Sequence, residues 1–278
     1  MEMPSNCIEN HQSGTDNRPL VDSTPTRDIR SSQAKGSGLA RALTAEFIGT
    51  FSLIFIGAGA ATALGVNHDP PVAFAHGLTI MVFAAAFGDI SGCHINPAVT
   101  LGLTSAGEFP ARRVVPYILV QLLGAIAAAY TLLYVFGGPV SNLGATLIDT
   151  QRITYTGAFA FEALGTFFLV NTVLHTTVRQ RTNRLAPVAI GMTVTICILG
   201  FGALTGGSVN PARTIGPAVA AGIYDGIAVY LAAQLVGATC AGMLYRWFRI
   251  TDATTGGVRP RAEALARGPR PHRQAAAE

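Results

Sequence analysis

Two short stretches of this chain combine residue types that could handle a polar molecule in an apolar setting. The first is Gly206-Gly207-Ser208-Val209-Asn210-Pro211-Ala212-Arg213-Thr214, and the second is its near-copy Gly92-Cys93-His94-Ile95-Asn96-Pro97-Ala98-Val99-Thr100. Asn is a preferred helix N-cap and Pro a preferred first helical residue, so each Asn-Pro-Ala reads as an irregular segment turning into a short helix. A helix start presents unpaired N–H groups and about half a positive charge. Burying two of them in an apolar chain makes sense where they line an aqueous path. The chemistry is therefore recognition without bond making. Spare amide N–H donors of Asn96 and Asn210 face the space between the helix starts, where the oxygen of a passing water accepts from both. Its hydrogens then point away, which hinders proton relay, and the positive helix ends repel cations.

Other polar residues fall in equally apolar surroundings. Before each box a stretch runs non-helically, over Gly92, Cys93, His94 and Ile95 and over Gly206, Gly207, Ser208 and Val209, and its carbonyls can replace lost hydration. His94 reads as an anchor of its loop rather than a titrating gate. Arg213 is a permanently charged group that must have partners and would repel cations from a path it faced. Glu46 and Glu162 lie well inside apolar spans, where acids are functional candidates by default, as proton relays or cation sites. Each stands at the same place relative to a re-entrant loop with N–H groups to satisfy, which favours a structural role.

The elements that must hold these residues are membrane helices. Half of the 278 residues are hydrophobic and 12% are charged, with mean hydropathy +0.41. A crossing needs roughly 20 apolar residues. Six stretches qualify: 42–65, 72–87, 114–136, 157–177, 186–203 and 227–248. The second and fifth are short, as expected of helices leading into re-entrant segments. The formal charge of +4 does not imply a nucleic-acid partner. With a cytoplasmic N-terminus, every basic residue except Arg152 and Arg213 falls on the cytoplasmic side, Arg41, Arg112, Arg113, Arg179, Arg181, Arg184, Arg246 and Arg249 flanking the spans. That is the positive-inside pattern, with both termini inside and six crossings, as for a multi-pass protein of the cell membrane. Residues 1–40 and 251–278 read as disordered tails around a domain at 41–250. Cys7, Cys93, Cys197 and Cys240 lack metal-ligand spacing, and no nucleophile stands at a suitable distance from a base, so neither metal, cofactor nor enzymatic activity is expected.

The chain is an internal duplication, with repeats at about 41–137 and 157–250. Glu46 and Glu162, each in a Glu-x-x-Gly-Thr-Phe motif, are 116 residues apart; Gly77 and Gly191 are 114 apart, as are Asn96 and Asn210; Gln121 and Gln234 are 113 apart. Each repeat holds three crossings, an odd number, so the second sits inverted relative to the first.

These features together resemble the aquaporin, or major intrinsic protein, superfamily over roughly 41–248. The resemblance implies an all-α membrane fold of six transmembrane helices plus two re-entrant half-helices, and a passive channel for water that excludes protons and ions. It implies a homotetramer in the lipid bilayer, with the loop carbonyls as one wall of each pore and the two glutamates as structural partners of the loops. Motif by motif, the narrow selectivity filter falls on His76, Ile198, Gly207 and Arg213. This set departs from water-specific members and looks more like some tonoplast intrinsic proteins, which implies passage of ammonia or similar small neutral solutes. Gly207, lacking a side chain, is expected to widen the opening. Glycerol facilitators typically carry Asp after the Arg and a basic residue four positions on, where this chain has Thr214 and Ala218. Leu231 departs from the aromatic common after Tyr230, and a glycerol facilitator, a transporter coupled to protons through Glu46 or Glu162, and a junction protein on the same fold stand as alternatives.

Overall fold

The computed structural model describes residues 30–65, 70–178 and 184–254, with side chains described from 38 to 249 within those ranges. Cys7, Arg179, Arg181 and most of both proposed tails lie outside the described residues.

Each long apolar stretch forms a helix. The first crossing comprises α1 (Arg30–Leu53), a π-helical turn at Ile54–Ala58 and α2 (Gly59–Leu64). The others are α3 (Pro70–Ser91), α5 (Val114–Val135), α6 (Tyr155–Val173) with a second π turn at Leu174–Val178, α7 (Ala186–Thr205) and α9 (Ile227–Thr254). Six helices are long and apolar enough to span a bilayer. Two shorter helices follow the Asn-Pro-Ala boxes, α4 (Pro97–Ser105) and α8 (Pro211–Ala221). No strand occurs among the described residues.

Two spans are longer than their hydropathy suggests. α3 has 22 residues and α7 has 20, about 33 and 30 Å at 1.5 Å per residue, enough to cross. The expectation of short second and fifth spans is therefore corrected. Their missing ends carry Asp89 and Ser91 or Thr205, polar residues that lower the hydropathy, and Ser91 and Thr205 are consumed by the loops that follow.

Packing obeys the inverted repeat. α1 packs on α5 as α6 packs on α9, α1 on α3 as α6 on α7, and α4 on α9 as α8 on α5, while α3 meets α7 between the repeats. Between apolar helices in lipid, close approach comes from small residues. A Cβ added at Gly124 would lie 2.6 Å from the carbonyl oxygen of Phe47, and its counterpart Gly237 lies against that of Ala163. Gly77 and Gly191 each abut the other's carbonyl where α3 crosses α7. Tyr134, Val115, Val82 and Ile196 point outward, as lipid-facing residues do in a multi-pass membrane protein.

Candidate functional site

α4 and α8 meet start to start through their caps. Asn96 Oδ1 accepts from the N–H of Ala98 at 2.8 Å and of Val99 at 3.4 Å; Asn210 Oδ1 accepts from Ala212 at 2.9 Å and Arg213 at 3.4 Å. Each Asn then reaches across: Asn96 Nδ2 donates to the Val209 carbonyl at 2.9 Å and Asn210 Nδ2 to the Ile95 carbonyl at 3.0 Å. One N–H of each amide is thus spent joining the repeats, so each has a single N–H left for the cavity, not two as the sequence alone suggests.

The loops before the boxes are held by the two buried glutamates in near-identical fashion. Glu46 accepts from Ser91 Oγ at 2.7 Å, the His94 N–H at 2.8 Å, the Ile95 N–H at 2.7 Å and Gln121 Nε2 at 2.8 Å. Glu162 accepts from Thr205 Oγ1 at 2.8 Å, the Ser208 N–H at 2.9 Å, the Val209 N–H at 2.8 Å and Gln234 Nε2 at 3.1 Å. The next N–H back goes to a hydroxyl, Cys93 to Ser91 and Gly207 to Thr205. In a trans peptide the carbonyl points opposite to the N–H. The carbonyls of residues 93 and 94, and of 207 and 208, therefore face away from their glutamates. Three residues of each loop have positive φ: Gly92, Cys93 and Ile95 at +89°, +46° and +43°, and Gly206, Gly207 and Val209 at +79°, +58° and +45°. For β-branched Ile95 and Val209 that is strained backbone, costing about 1–3 kcal/mol each, and the glutamate bonds hold it. His94 is fixed too, with Nδ1 3.0 Å from Thr100 Oγ1 and its ring against Phe109 and Tyr117. Ser208, its counterpart, lies 2.6 Å from Thr214 Oγ1.

A cavity of about 1080 Å³ runs beside these loops, from the face carrying Glu108, Arg113 and Arg184 inward to His76 and Arg213. Gly92, Cys93, His94, Ile95, Asn96, Ser208, Val209 and Asn210 line it; Pro97, Ala98, Gly206, Pro211 and Ala212 do not. At its inner end, Arg213 is 1% exposed and Nη1 donates to the Gly144 carbonyl at 2.8 Å, while Nε and Nη2 have no protein partner. His76 Nδ1 lies 2.9 Å from the Val72 carbonyl and Nε2 has no protein partner. A carbonyl only accepts, so Nδ1 carries the proton and Nε2 of the neutral ring is an acceptor. Ile198 and Gly207 do not line the cavity. They pack on each other: a Cβ at Gly207 would lie 2.9 Å from Ile198 Cα and 3.0 Å from its Cγ1. The space that Gly207 leaves is filled by α7, so the expected widening does not follow from it.

Gly144 carries no sequence signal for its role at Arg213. It lies in a turn, Val140–Gly144, where Ser141, Asn142 and Leu143 adopt φ of +47°, +54° and +51°. No local glycine pattern signals three left-handed residues in a row, a conformation that costs about 1–2 kcal/mol per residue.

A bundle of six spans with two helix starts meeting beside a cavity is the architecture of a membrane channel. The major intrinsic protein family profile matches residues 33–245. "Aquaporin NIP1-1" of Zea mays is 37% identical over 215 residues, covering 76% of this chain and 75% of the relative. "Aquaporin AqpM" of Methanothermobacter thermautotrophicus is 38% identical over 240 residues, covering 75% and 97%. Among solved structures, the aquaglyceroporin from Plasmodium falciparum superposes with TM-score 0.61 at 26% identity, covering 76% of this chain and 95% of that one. The chain belongs to the major intrinsic protein family. It is a passive channel for small solutes in a lipid bilayer and not an enzyme.

The placement of the thiols makes one prediction. Cys93 lines the cavity, whereas Cys197 is 4% exposed with Sγ 4.0 Å from the Gly165 carbonyl, and Cys240 is exposed on α9. Mercurials are expected to inhibit water flux through Cys93, and Cys93→Ser to abolish that inhibition. Osmotic shrinkage of proteoliposomes with and without reagent checks it; inhibition surviving in Cys93→Ser would refute the assignment.

Proposed function

We propose that this channel carries water together with ammonia or similar small neutral solutes, rejects protons and ions, and works as a homotetramer in the cell membrane with both termini cytoplasmic. The observation that carries the solute reading is the pairing at the inner end of the cavity. Two guanidinium donors of Arg213, Nε and Nη2, and one imidazole acceptor, His76 Nε2, have no protein partners. A molecule that both donates and accepts can trade its hydration for them at small desolvation cost. Water and ammonia both do so, and ammonium is repelled by Arg213 and the helix starts. The orientation rests on the basic residues, since Arg41, Arg112, Arg113, Arg184, Arg246 and Arg249 all fall at the same end of the spans. The tetramer rests on the family resemblance.

The test is internal pH after an ammonium jump in proteoliposomes, beside osmotic water flux from the same preparation. Ammonia entry above that of empty vesicles is expected, with His76→Phe suppressing it and sparing water. An ammonia rate equal to that of empty vesicles, with water flux intact, would overturn the ammonia reading. The name of the structural relative, an aquaglyceroporin, favours glycerol as a second solute, and glycerol efflux from the same vesicles decides that.

A further inference from the structure

The π turn Ile54–Ala58 backs both polar groups at the inner end of the cavity. At Gly57 the ring of His76 lies where a side chain would be, so that an added Cβ would meet Cδ2 at 2.5 Å, Nε2 at 2.6 Å and Cγ at 2.7 Å. The next residue, Ala58, abuts Gly144: a Cβ on Gly144 would lie 2.6 Å from the Ala58 carbonyl oxygen and 3.0 Å from its Cα. Gly144 in turn supplies the carbonyl that holds Arg213. One irregular turn of the first span therefore sets the seat of His76 directly and that of Arg213 through Gly144. π turns are rare within helices and tend to occur at functional sites. The arrangement is not repeated in the other half, where Val173 and Ile190 occupy the places of Gly57 and His76 and simply line the cavity. The inverted repeat alone does not demand it.

We propose that Gly57 is a specificity-determining positioning residue, which acts by giving the His76 ring room against the π turn and so sets how far that ring stands into the path beside Arg213. The proposal rests on the reading above that His76 and Arg213 select the solute. Nδ1 is tethered to the Val72 carbonyl, so a methyl group at Gly57 pushes the rest of the ring, Nε2 included, toward the cavity that His76 lines. The passage narrows and its one imidazole acceptor is displaced. Ammonia flux then falls more than water flux, because ammonia depends on exchanging its hydration for that pair.

The experiment compares wild type, Gly57→Ala, His76→Ala and the double variant in proteoliposomes for water and ammonia flux. Gly57→Ala is expected to lower the ammonia-to-water ratio at least about threefold, and to leave the ratio nearly unchanged when added to His76→Ala, since groups acting through one contact couple non-additively. Should Gly57→Ala alone fail to fold, the double variant, which lacks the clashing ring, is expected to fold and to show the His76→Ala ratio. Three results would overturn the proposal: a folded Gly57→Ala with the wild-type ratio, the same shift in both backgrounds, or a double variant that fails to fold. A His76→Ala protein with the wild-type ratio would instead overturn the underlying reading. If wild type passes water alone, the same four-way comparison is read on water flux.

Discussion

Glu162→Ala is expected to yield no functional channel, with water flux at the level of empty vesicles and little folded protein recovered from the membrane. The carboxylate is fully buried and accepts four hydrogen bonds, two of them from the N–H groups of Ser208 and Val209. Truncation orphans all four donors. Each buried orphan costs about 1–3 kcal/mol, so the set costs about 4–12 kcal/mol, against a typical total stability of 5–15 kcal/mol. The strained backbone at Val209 loses its restraint as well, and Val209 supplies the carbonyl that holds Asn96. Damage in one repeat therefore reaches the cap of the other. Glu162→Gln keeps one acceptor oxygen but sets an amide against donors, so it should fold with a lower melting temperature and still conduct water. The pair of variants also separates a structural role from proton coupling. Four donors already fill both oxygens, and three of them, the Ser208 and Val209 N–H groups and Gln234 Nε2, can only donate, which leaves a carboxyl proton no acceptor beyond the Thr205 hydroxyl. Thermal unfolding in detergent and water flux in vesicles check this, and Glu162→Ala with wild-type melting and flux would refute it. The same ordering is expected at Glu46.

The pairing of the glutamates with their loops was legible in the sequence because the duplication writes it twice, although the roles of Ser91, Thr205, Gln121 and Gln234 in it were not. The glutamates, the loop residues and Gln121 with Gln234 recur at nearly one offset, and two copies of a buried polar residue on either side of an inverted repeat demand a shared structural reason. What the sequence hides is whatever occurs once. Gly144 lies 69 residues from the Arg213 it holds, in a turn where, of the left-handed residues Ser141, Asn142 and Leu143, only Asn142 is of a type that favours that conformation. Packing offsets part of the turn's cost, since Leu143 is fully buried, worth about 1.5–3 kcal/mol. The π turns at Ile54–Ala58 and Leu174–Val178 are silent for a different reason, because no sequence feature distinguishes either from a continuous helix. The four residues aligned as a filter stand in different relation to the cavity for a related reason. His76 and Arg213 reach the cavity, whereas Gly207 lets its loop lie directly on Ile198, a close approach between two backbones that motif alignment does not reveal.

Arg213→Val is expected to keep water flux and to lose much of the cation rejection. The guanidinium is 1% exposed at the inner end of the cavity, and only Nη1 is engaged, on the Gly144 carbonyl. A monovalent cation passing about 4 Å away meets a repulsion of about 4 kcal/mol at an effective dielectric of 20. That corresponds to roughly a thousandfold in crossing rate. Valine removes the charge and the donors and leaves the loop bonds of Ser208 and Val209 to Glu162 in place, so the fold should persist. Proton exclusion should weaken less than cation exclusion, because the two helix starts keep their partial positive charge and Asn96 and Asn210 keep their caps and cross-repeat bonds. The measurement is osmotic water flux together with potassium and proton leak in proteoliposomes under an imposed potential. Wild type should show water flux without either leak, and Arg213→Val should show a large potassium leak with a smaller proton leak. A wild-type proton current of the size carried by a dedicated proton channel would overturn the account of charge exclusion, and so would an Arg213→Val protein whose cation rejection is unchanged.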